Sequence, residues 1–337
     1  MEQQKRERKG YTIDDVAREL GVSKTTVSRA ISGKGRIGAA TRKRVLEFVR
    51  EHHYRPHTMG EALPGEKKYN IGLIMPGNYV ADELPFFQRC MGGVCEVAAS
   101  RGYEVVIVLV TERDVSQLER VIAARKVDGF IFSQSVKDDP ALERLRETGM
   151  PVVMVGSTDL PGVVQVDHAN RDACRELTAT LLAKGMRRIA LVGRELEYWV
   201  NQRRLEGFVD ACRQQGLTEE EYMVRMDLRT DLQIENAVEE ALAAGAECIL
   251  SSDEEVCRHV LGKLKRLRVS IPEQVRVASF YDSALLQQYT PSITSLQFNA
   301  RELGRAACQR LMGELEGVPT EEEVPLGYQV ALRESTQ

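Results

Sequence analysis

The sequence lacks most features of secreted, membrane or disulfide-linked proteins. Aromatic residues make up 6% of its 337 positions, with one tryptophan, and histidine occurs five times. Its seven cysteines are an odd number without zinc-ligand spacing, which fits a reducing compartment. No apolar stretch has the form of a signal peptide, and the densest apolar run, Val105–Val110, has the length of a strand. These absences predict a soluble, cytoplasmic chain with no membrane partner.

Motifs of catalysis and cofactor binding are also missing. No glycine-rich phosphate loop follows a predicted strand, and neither HExxH nor GxSxG occurs. The run Asp253-Glu254-Glu255 has two interpretations, a metal site or a helix amino terminus whose dipole favours acids. We therefore expect no enzyme activity, no cofactor and no metal.

Charge is distributed unevenly along the chain. The net charge is −4, yet basic residues outnumber acidic ones by seven in residues 1–68, and acidic residues are in excess by eleven in the remainder. A basic head on an acidic body predicts nucleic-acid contact through the head alone.

The stretch Thr12–Ile31 predicts two short helices joined by a tight turn. Thr12 and Ser23 are helix-capping residue types, and Gly21 ends the first helix where a left-handed residue costs least. Apolar residues recur at helical spacing, namely Ile13, Val16, Ala17, Leu20, Val27 and Ile31. The outward face of the second helix is polar and cationic, with Lys24, Thr25, Thr26, Ser28 and Arg29. Such a helix fits the major groove of DNA, and the alternative is an ordinary helical hairpin with a solvated face.

A third helix, Thr41–His52, closes a small core with Val45, Leu46, Phe48 and Val49. From Tyr69 onward, short apolar strands alternate with helices. The predicted strands are 71–75, 104–109, 129–133, 152–155, 163–166, 188–192, 248–251 and 275–279. This alternation predicts parallel sheets covered on both faces, and its length favours two doubly wound lobes with a ligand cleft between them.

The first stretch resembles the headpiece of the LacI–GalR transcription regulators. The matching residues are Ala17, Gly21, Val22, Ser23, Thr26, Val27, Ser28 and Arg29, and the similarity extends from Thr12 to about Arg333. The resemblance implies an all-α helix-turn-helix head (1–56), a hinge helix and linker (57–68) and an α/β body like periplasmic binding proteins (69–337). It implies a first lobe of about 69–163 and 295–325 and a second of about 164–294 and 326–337. A helix at Gln297–Gly313 is expected to return to the first lobe.

For DNA we expect Lys24, Thr25 and Arg29 at base edges. The other predicted DNA-binding residues are Thr12, Ser23, Thr26, Ser28, Arg36, Tyr54, His57 and Leu63. Leu63 matches the family's hinge leucine, which wedges into the minor groove. Gly60-Glu61 departs from the family pattern, so the hinge helix is expected to order reluctantly, and a plain linker is the alternative.

The resemblance also implies an effector site in the cleft. Its predicted residues are Asn78, Phe86, Phe87, Gly156, Tyr198, Trp199, Asn201, Arg204, Ser252, Asp253 and Tyr281. Phe87 fits the core equally well, and Trp199 fits either binding or packing. Gly156 and Tyr281 replace acids of sugar-responsive members, and Ser252 replaces a polar residue. These departures suggest an effector that is less hydroxyl-rich than a plain hexose, or anionic.

The sequence thus predicts a transcriptional regulator, a repressor, that binds a palindromic operator as a homodimer under control of a small-molecule effector. Leucine heptads are absent near Gln337, which favours a dimer over a tetramer. Two alternatives remain open, a body that senses a protein partner and a solute-binding protein of a transporter.

Overall fold

The computed structural model describes residues 13–32, 37–52, 67–77, 84–111, 114–133, 136–318 and 323–337. The chain forms two compact units, residues 1–67 and 68–337. We call them the head and the body and describe each separately.

The head contains three helices, α1 (Ile13–Leu20), α2 (Lys24–Ser32) and α3 (Ala39–Glu51). Val16, Val27, Ala30 and Val45 are fully buried at the centre. Gly21 has a φ of +62°, which allows the backbone bonds that end α1, from Gly21 N–H to Arg18 O and from Val22 N–H to Ala17 O. The turn prediction is therefore confirmed. Leu46, predicted to lie in this core, is 42% exposed, because the core needs only one side of α3.

The first lobe of the body is a six-stranded parallel sheet in the order β11-β5-β4-β3-β1-β2. Its strands are β1 (Asn70–Pro76), β2 (Glu104–Val110), β3 (Gly129–Phe132), β4 (Val152–Val155), β5 (Val164–His168) and β11 (Glu323–Leu326). Its helices are α4 (Leu84–Ser100), α5 (Ser116–Ala123), α6 (Pro140–Thr148) and α12 (Ala300–Leu315). Alternate residues of β1 enter opposite cores, Leu73 with α4 and α12 and Ile74 with α5 and α6.

The second lobe has the strand order β12-β10-β9-β8-β6-β7, parallel except for β12. Its strands are β6 (Ile189–Val192), β7 (Met223–Arg225), β8 (Cys248–Ser251), β9 (Arg276–Ser279), β10 (Thr294–Phe298) and β12 (Tyr328–Ala331). Its helices are α7 (Asn170–Ala183), α8 (Trp199–Gln214), α9 (Asp231–Ala243), α10 (Glu254–Leu267) and α11 (Ala284–Gln288). Two cores, one on each face, fill this lobe. The prediction of two doubly wound lobes is confirmed.

The chain passes between the lobes three times, between β5 and α7, between β10 and α12, and between β11 and β12. The predicted lobe limits differ by one strand at two places, because β5 belongs to the first sheet and β10 to the second. The ends of the three crossing strands lie together, with the ring of Phe298 at 4.8 Å from His168 and 6.4 Å from Tyr328. In the part of the chain that the structure describes, no helix is long and apolar enough to span a bilayer.

Candidate DNA-reading surface and inter-lobe cleft

The exposed polar face of helix α2, which carries Lys24, Thr25, Ser28 and Arg29, is the surface predicted to contact DNA bases. We call it the reading face. Thr25, Ser28 and Arg29 are exposed, and among the described residues no carboxylate forms an ion pair with Arg29. Lys24 is 61% exposed and pairs with Asp14 at 2.6 Å. An exposed ion pair of this kind contributes little to stability, so phosphate or base edges can replace Asp14 at low cost.

The start of α2 is fixed by Ser23 and Thr26. The Ser23 hydroxyl oxygen accepts a hydrogen bond from Thr26 N–H at 3.1 Å and lies 2.8 Å from the Thr26 hydroxyl. These two predicted DNA-binding residues therefore also cap the reading helix.

Five further DNA-binding predictions lie outside the described residues, Thr12, Arg36, Tyr54, His57 and Leu63, as does the effector prediction Asn78.

The cleft of the body lies where the carboxyl ends of the strands of both sheets meet. Besides the three crossings, backbone groups join the lobes. Lys137 N–H donates to Glu197 O at 2.8 Å, and Val136 forms an antiparallel bridge with Tyr198. Tyr198 also lines a cavity of about 50 Å³ formed otherwise by first-lobe residues. The lobes are therefore in direct contact at this point of the cleft.

Aromatic rings from both lobes meet in the cleft. The Phe86 ring of α4 lies edge-on at 6.2 Å from Tyr281, which follows β9, and Tyr281 lies nearly parallel to Phe298 at 6.1 Å. Phe87 is only 4% exposed and packs in the first-lobe core. For Phe87, the structure therefore favours the core alternative, and Phe86 has the side chain that faces the second lobe.

Helix α8 places three predicted residues at the cleft. Arg204 is 8% exposed and donates from Nη1 to Asn201 Oδ1 at 3.2 Å, and Asn201 in turn donates to Glu195 O. Trp199 begins this helix, with the Arg203 guanidinium 5.8 Å from its ring centroid. Trp199 Nε1 and Arg204 Nε are buried and have no hydrogen-bond partner among the described residues.

Sequence reasoning missed Asp167 and His168 at the end of β5. Asp167 accepts hydrogen bonds from the Ser157 hydroxyl at 2.8 Å and from His168 N–H at 2.7 Å. Burial raises the Asp167 pKa to about 6, although these bonds and the charges of Arg204 and Arg203 lower it. Burial also lowers the pKa of His168 to about 4, against a hydrogen bond with the Asn299 backbone. In the sequence, two polar residues at the end of a buried strand were the signal that could have identified Asp167 and His168.

The remaining predicted effector residues differ in how far they face the cleft. Ser252 is fully buried and donates its hydroxyl to Asp253 at 2.7 Å, and Asp253 caps α10 by accepting from Val256 N–H at 2.9 Å. Gly156 has a φ of +107°, and no described atom lies within 4 Å of a Cβ built there. Burial raises the pKa of Tyr281 to about 12, so its phenol is neutral at pH 7.

The acidic run at 253–255 is divided between two structural roles. Asp253 is the helix cap, whereas Glu255 pairs with Arg194 at 2.6 Å. Asp231, Glu255 and His259 do offer ligand atoms within 4.8 Å of one another. The Arg194 guanidinium already occupies this group, since it also lies 3.4 Å from Asp231. The helix-terminus interpretation therefore fits the structure better than a metal site.

A three-helix head with a polar reading helix and a two-lobed body with a ligand cleft define a ligand-responsive, DNA-binding regulator. Residues 12–57 match the family of bacterial regulatory proteins called lacI, and residues 178–336 match the periplasmic binding protein-like domain. The chain therefore combines a LacI-family DNA-binding domain with a periplasmic-binding-protein-like domain and is a DNA-binding transcriptional regulator, as the sequence resemblance predicted.

Similar proteins cover nearly the whole chain. The transcriptional regulator MalR of Staphylococcus xylosus is 27% identical over 91% of this chain and 92% of its own length. Catabolite control protein A of Streptococcus mutans is 27% identical over 97% of this chain and 98% of its own. The transcriptional regulator CelR, solved as a cellobiose complex, superposes with a TM-score of 0.69 and 27% identity, covering 96% of this chain and 99% of that one. The match of residues 12–57 to a DNA-binding family argues against the alternative of a solute-binding protein, since that alternative would account only for the body.

Proposed function

We propose that the chain is a repressor that binds a palindromic operator as a homodimer and is controlled by a sugar or sugar derivative in the cleft. The observation that carries the DNA half is the exposed polar face of α2, with Thr25, Ser28 and Arg29 free to meet base edges. One such helix reads too few bases for genomic specificity, which favours two heads on a symmetric site. A genomic operator implies action in the cytoplasm.

The control half is supported by the construction of the body. The cleft takes Phe86 from one lobe and Arg204 and Tyr281 from the other, so a molecule that contacts both favours the closed arrangement. The cellobiose complex of CelR supports a carbohydrate-like effector. Regulation follows if the closed and open bodies differ in their affinity for the operator.

The DNA half is tested by Arg29→Ala. We expect a loss of about 1–3 kcal/mol in operator binding and relaxed preference at one base pair per half-site, because a bidentate base contact is removed. Lys43→Ala on α3 is the control, since Lys43 is 78% exposed and outside the reading face. Binding is measured by fluorescence anisotropy against every single-base variant of a site footprinted upstream of the gene. An equal loss on all duplexes would make Arg29 a phosphate contact only.

The control half is tested by repeating the footprint with candidate sugars. An effector changes operator affinity at least several-fold and raises the melting temperature of the same sample. If operator binding responds instead to a protein isolated with the chain, and to no sugar, then the body senses a protein partner.

A further inference from the structure

Two buried N–H donors at the cleft have no hydrogen-bond acceptor among the described residues. Arg204 is 92% buried, and its Nε has no partner among the described residues; the same holds for Trp199 Nε1 at the start of the helix. An unpaired buried N–H is unfavourable, so both groups favour a ligand that brings acceptor oxygens.

Three carboxylates, those of Asp167, Asp253 and Asp282, are already hydrogen-bonded within the protein. Asp167 accepts hydrogen bonds from the Ser157 hydroxyl and from His168 N–H. Asp253 accepts hydrogen bonds from the Ser252 hydroxyl and from Val256 N–H. Asp282 is paired with Arg333 at 2.8 Å and also accepts from Ser295 and Gln297. Among the described residues of the cleft, few acceptors therefore remain for the hydroxyl hydrogens of a neutral sugar.

The centre of the cleft carries a neutral phenol. Tyr281 contacts Phe86 across the lobes, and burial keeps its hydroxyl protonated well above pH 7. A carboxylate at this position would accept sugar hydroxyls and repel anions, whereas the phenol does not repel an anion.

A second guanidinium approaches from the first lobe. Arg89 lies three residues after Phe86 on α4 and therefore shares its helix face. Arg89 is exposed, and no carboxylate of the described residues forms an ion pair with it. Burial and the charge of Glu254 raise the pKa of Tyr281, whereas the charges of Arg204 and Arg89 lower it. The guanidinium groups of Arg204 and Arg89, one from each lobe, therefore both lower the pKa of the Tyr281 phenol.

We propose that the effector carries a carboxylate or phosphate group bound between Arg204 of the second lobe and Arg89 of the first. The inference rests on the proposed control by a cleft ligand. Guanidinium forks match carboxylate and phosphate oxygens in pairs, and Phe86 and Tyr281 offer ring faces to the rest of the ligand. A sugar acid or a phosphorylated sugar has both parts.

The test compares ligands that differ only in charge. Full-length protein is titrated calorimetrically and melted with glucose, glucuronate and glucose 6-phosphate, the matching galactose set, and inorganic phosphate. We expect an anionic member to bind at least about tenfold more tightly than its neutral parent, a difference of about 1.4 kcal/mol. The uronate and phosphate arms identify which anion is preferred.

Variants show whether the two arginines are responsible. Arg89→Gln is expected to reduce the preference for the anion over its neutral parent about tenfold. Arg101→Gln, just beyond the end of α4, is the matched control and is expected to have no effect. The proposal is overturned if a neutral sugar binds as tightly as its anionic partner. It is also overturned if no anion raises the melting temperature more than sodium chloride of equal ionic strength, or if Arg89→Gln leaves the preference intact.

Operator binding on the same samples separates this inference from the proposed function. If a neutral sugar changes operator affinity, then ligand control stands and the anion proposal fails. If no duplex is preferred over random duplex, then the regulator assignment itself fails, whatever the ligand.

Discussion

At the residue scale, the ion pair of Asp282 and Arg333 fixes the loop that carries Tyr281. The Asp282 side chain is 5% exposed and that of Arg333 is 15% exposed, and two hydrogen bonds of 3.0 and 2.8 Å join them. Burial by itself would raise the pKa of Asp282, but the bonds from Arg333, Ser295, Gln297 and Gln287 outweigh it and lower that pKa. The pair therefore holds the end of the chain against the wall of the cleft.

Replacing Arg333 by Met should lower the free energy of unfolding by about 3–5 kcal/mol, because an unpaired carboxylate remains buried. Urea unfolding measures the change. Arg146→Met is the control, since Arg146 is exposed on α6, and it should cost less than about 1 kcal/mol. Similar losses in the two variants would show that the pair adds nothing beyond an exposed arginine.

Asp167 and His168 are neighbours whose pKa values move in opposite directions. Folded Asp167 keeps its proton up to about pH 6, so its contribution to stability decreases as the pH rises from its unfolded value of 3.8. Folded His168 stays neutral down to about pH 4, so its contribution increases with pH up to its unfolded value of 6.5. Between pH 4 and 6, the two effects oppose each other.

Asp167→Asn should therefore make the protein lose stability more steeply than the parent on acidification from pH 7 to 5, and His168→Gln should do the reverse. Each difference should be on the order of 1–2 kcal/mol over this range. Urea unfolding at several pH values measures the slopes. Curves that stay parallel to that of the parent would show that the two groups titrate as they do in the unfolded chain.

At the element scale, helices α4 and α12 pack with their backbones in close contact. A Cβ added at Gly93 would overlap the carbonyl oxygen of Arg301, and one added at Gly304 would overlap that of Cys90. The neighbouring Gly92 has no described atom within 4 Å of such a Cβ. Adjacent glycines of one helix thus have different structural roles.

We expect Gly93→Ala to destabilise the body by about 1–3 kcal/mol or more, because the two helices must separate. Gly92→Ala is the matched control and should stabilise α4 by up to about 1 kcal/mol, since alanine is the better helix former. Thermal and urea unfolding distinguish the two signs. If both variants changed stability in the same direction, close backbone packing would not be the determining factor.

The elements also show how far the sequence predicts the structure. Long periodic segments were predicted nearly to the residue: the strand predicted at 104–109 is found at 104–110, and the helix predicted at 41–52 is found at 39–51. The short strands β7, β11 and β12 were missed, because none of them is a continuous apolar run like the four-residue strands β4 and β6, which were predicted. Strand β10 was missed as well, although it has five residues. The assignment of β5 and β10 to lobes depends on pairing partners distant in sequence, which local patterns do not contain.

The site follows the same rule. Capping and turn residues of the head, including Ser23 and Gly21, act through neighbours in sequence and were predicted. Asp167 and Arg89 are related to the cleft through the charge of Arg204 and the ring of Tyr281, which lie on other elements. Whether Phe87 or Phe86 faces the cleft depends on the packing of α4, and the sequence left that choice open.

At the scale of the whole molecule, the head is basic and the body acidic, so we expect DNA contact through the head alone. Binding should weaken steeply as salt rises from about 50 to about 200 mM, because cations released from phosphates drive association. Arg42→Gln on α3 should reduce the slope of log affinity against log salt by about 1 per half-site, with base preference unchanged. Anisotropy titrations at four salt concentrations measure this. A changed base preference would instead place Arg42 at a base edge.

The bridge between Val136 and Tyr198 has a consequence for how long a bound molecule stays. Its hydrogen bond joins main-chain groups, Lys137 N–H and Glu197 O, so loss of a side chain does not remove it. A ligand enclosed between the lobes by this backbone bridge leaves only after the bridge opens. Its residence time is then set by how often the two lobes separate, and affinity can change through that frequency with every ligand contact unaltered.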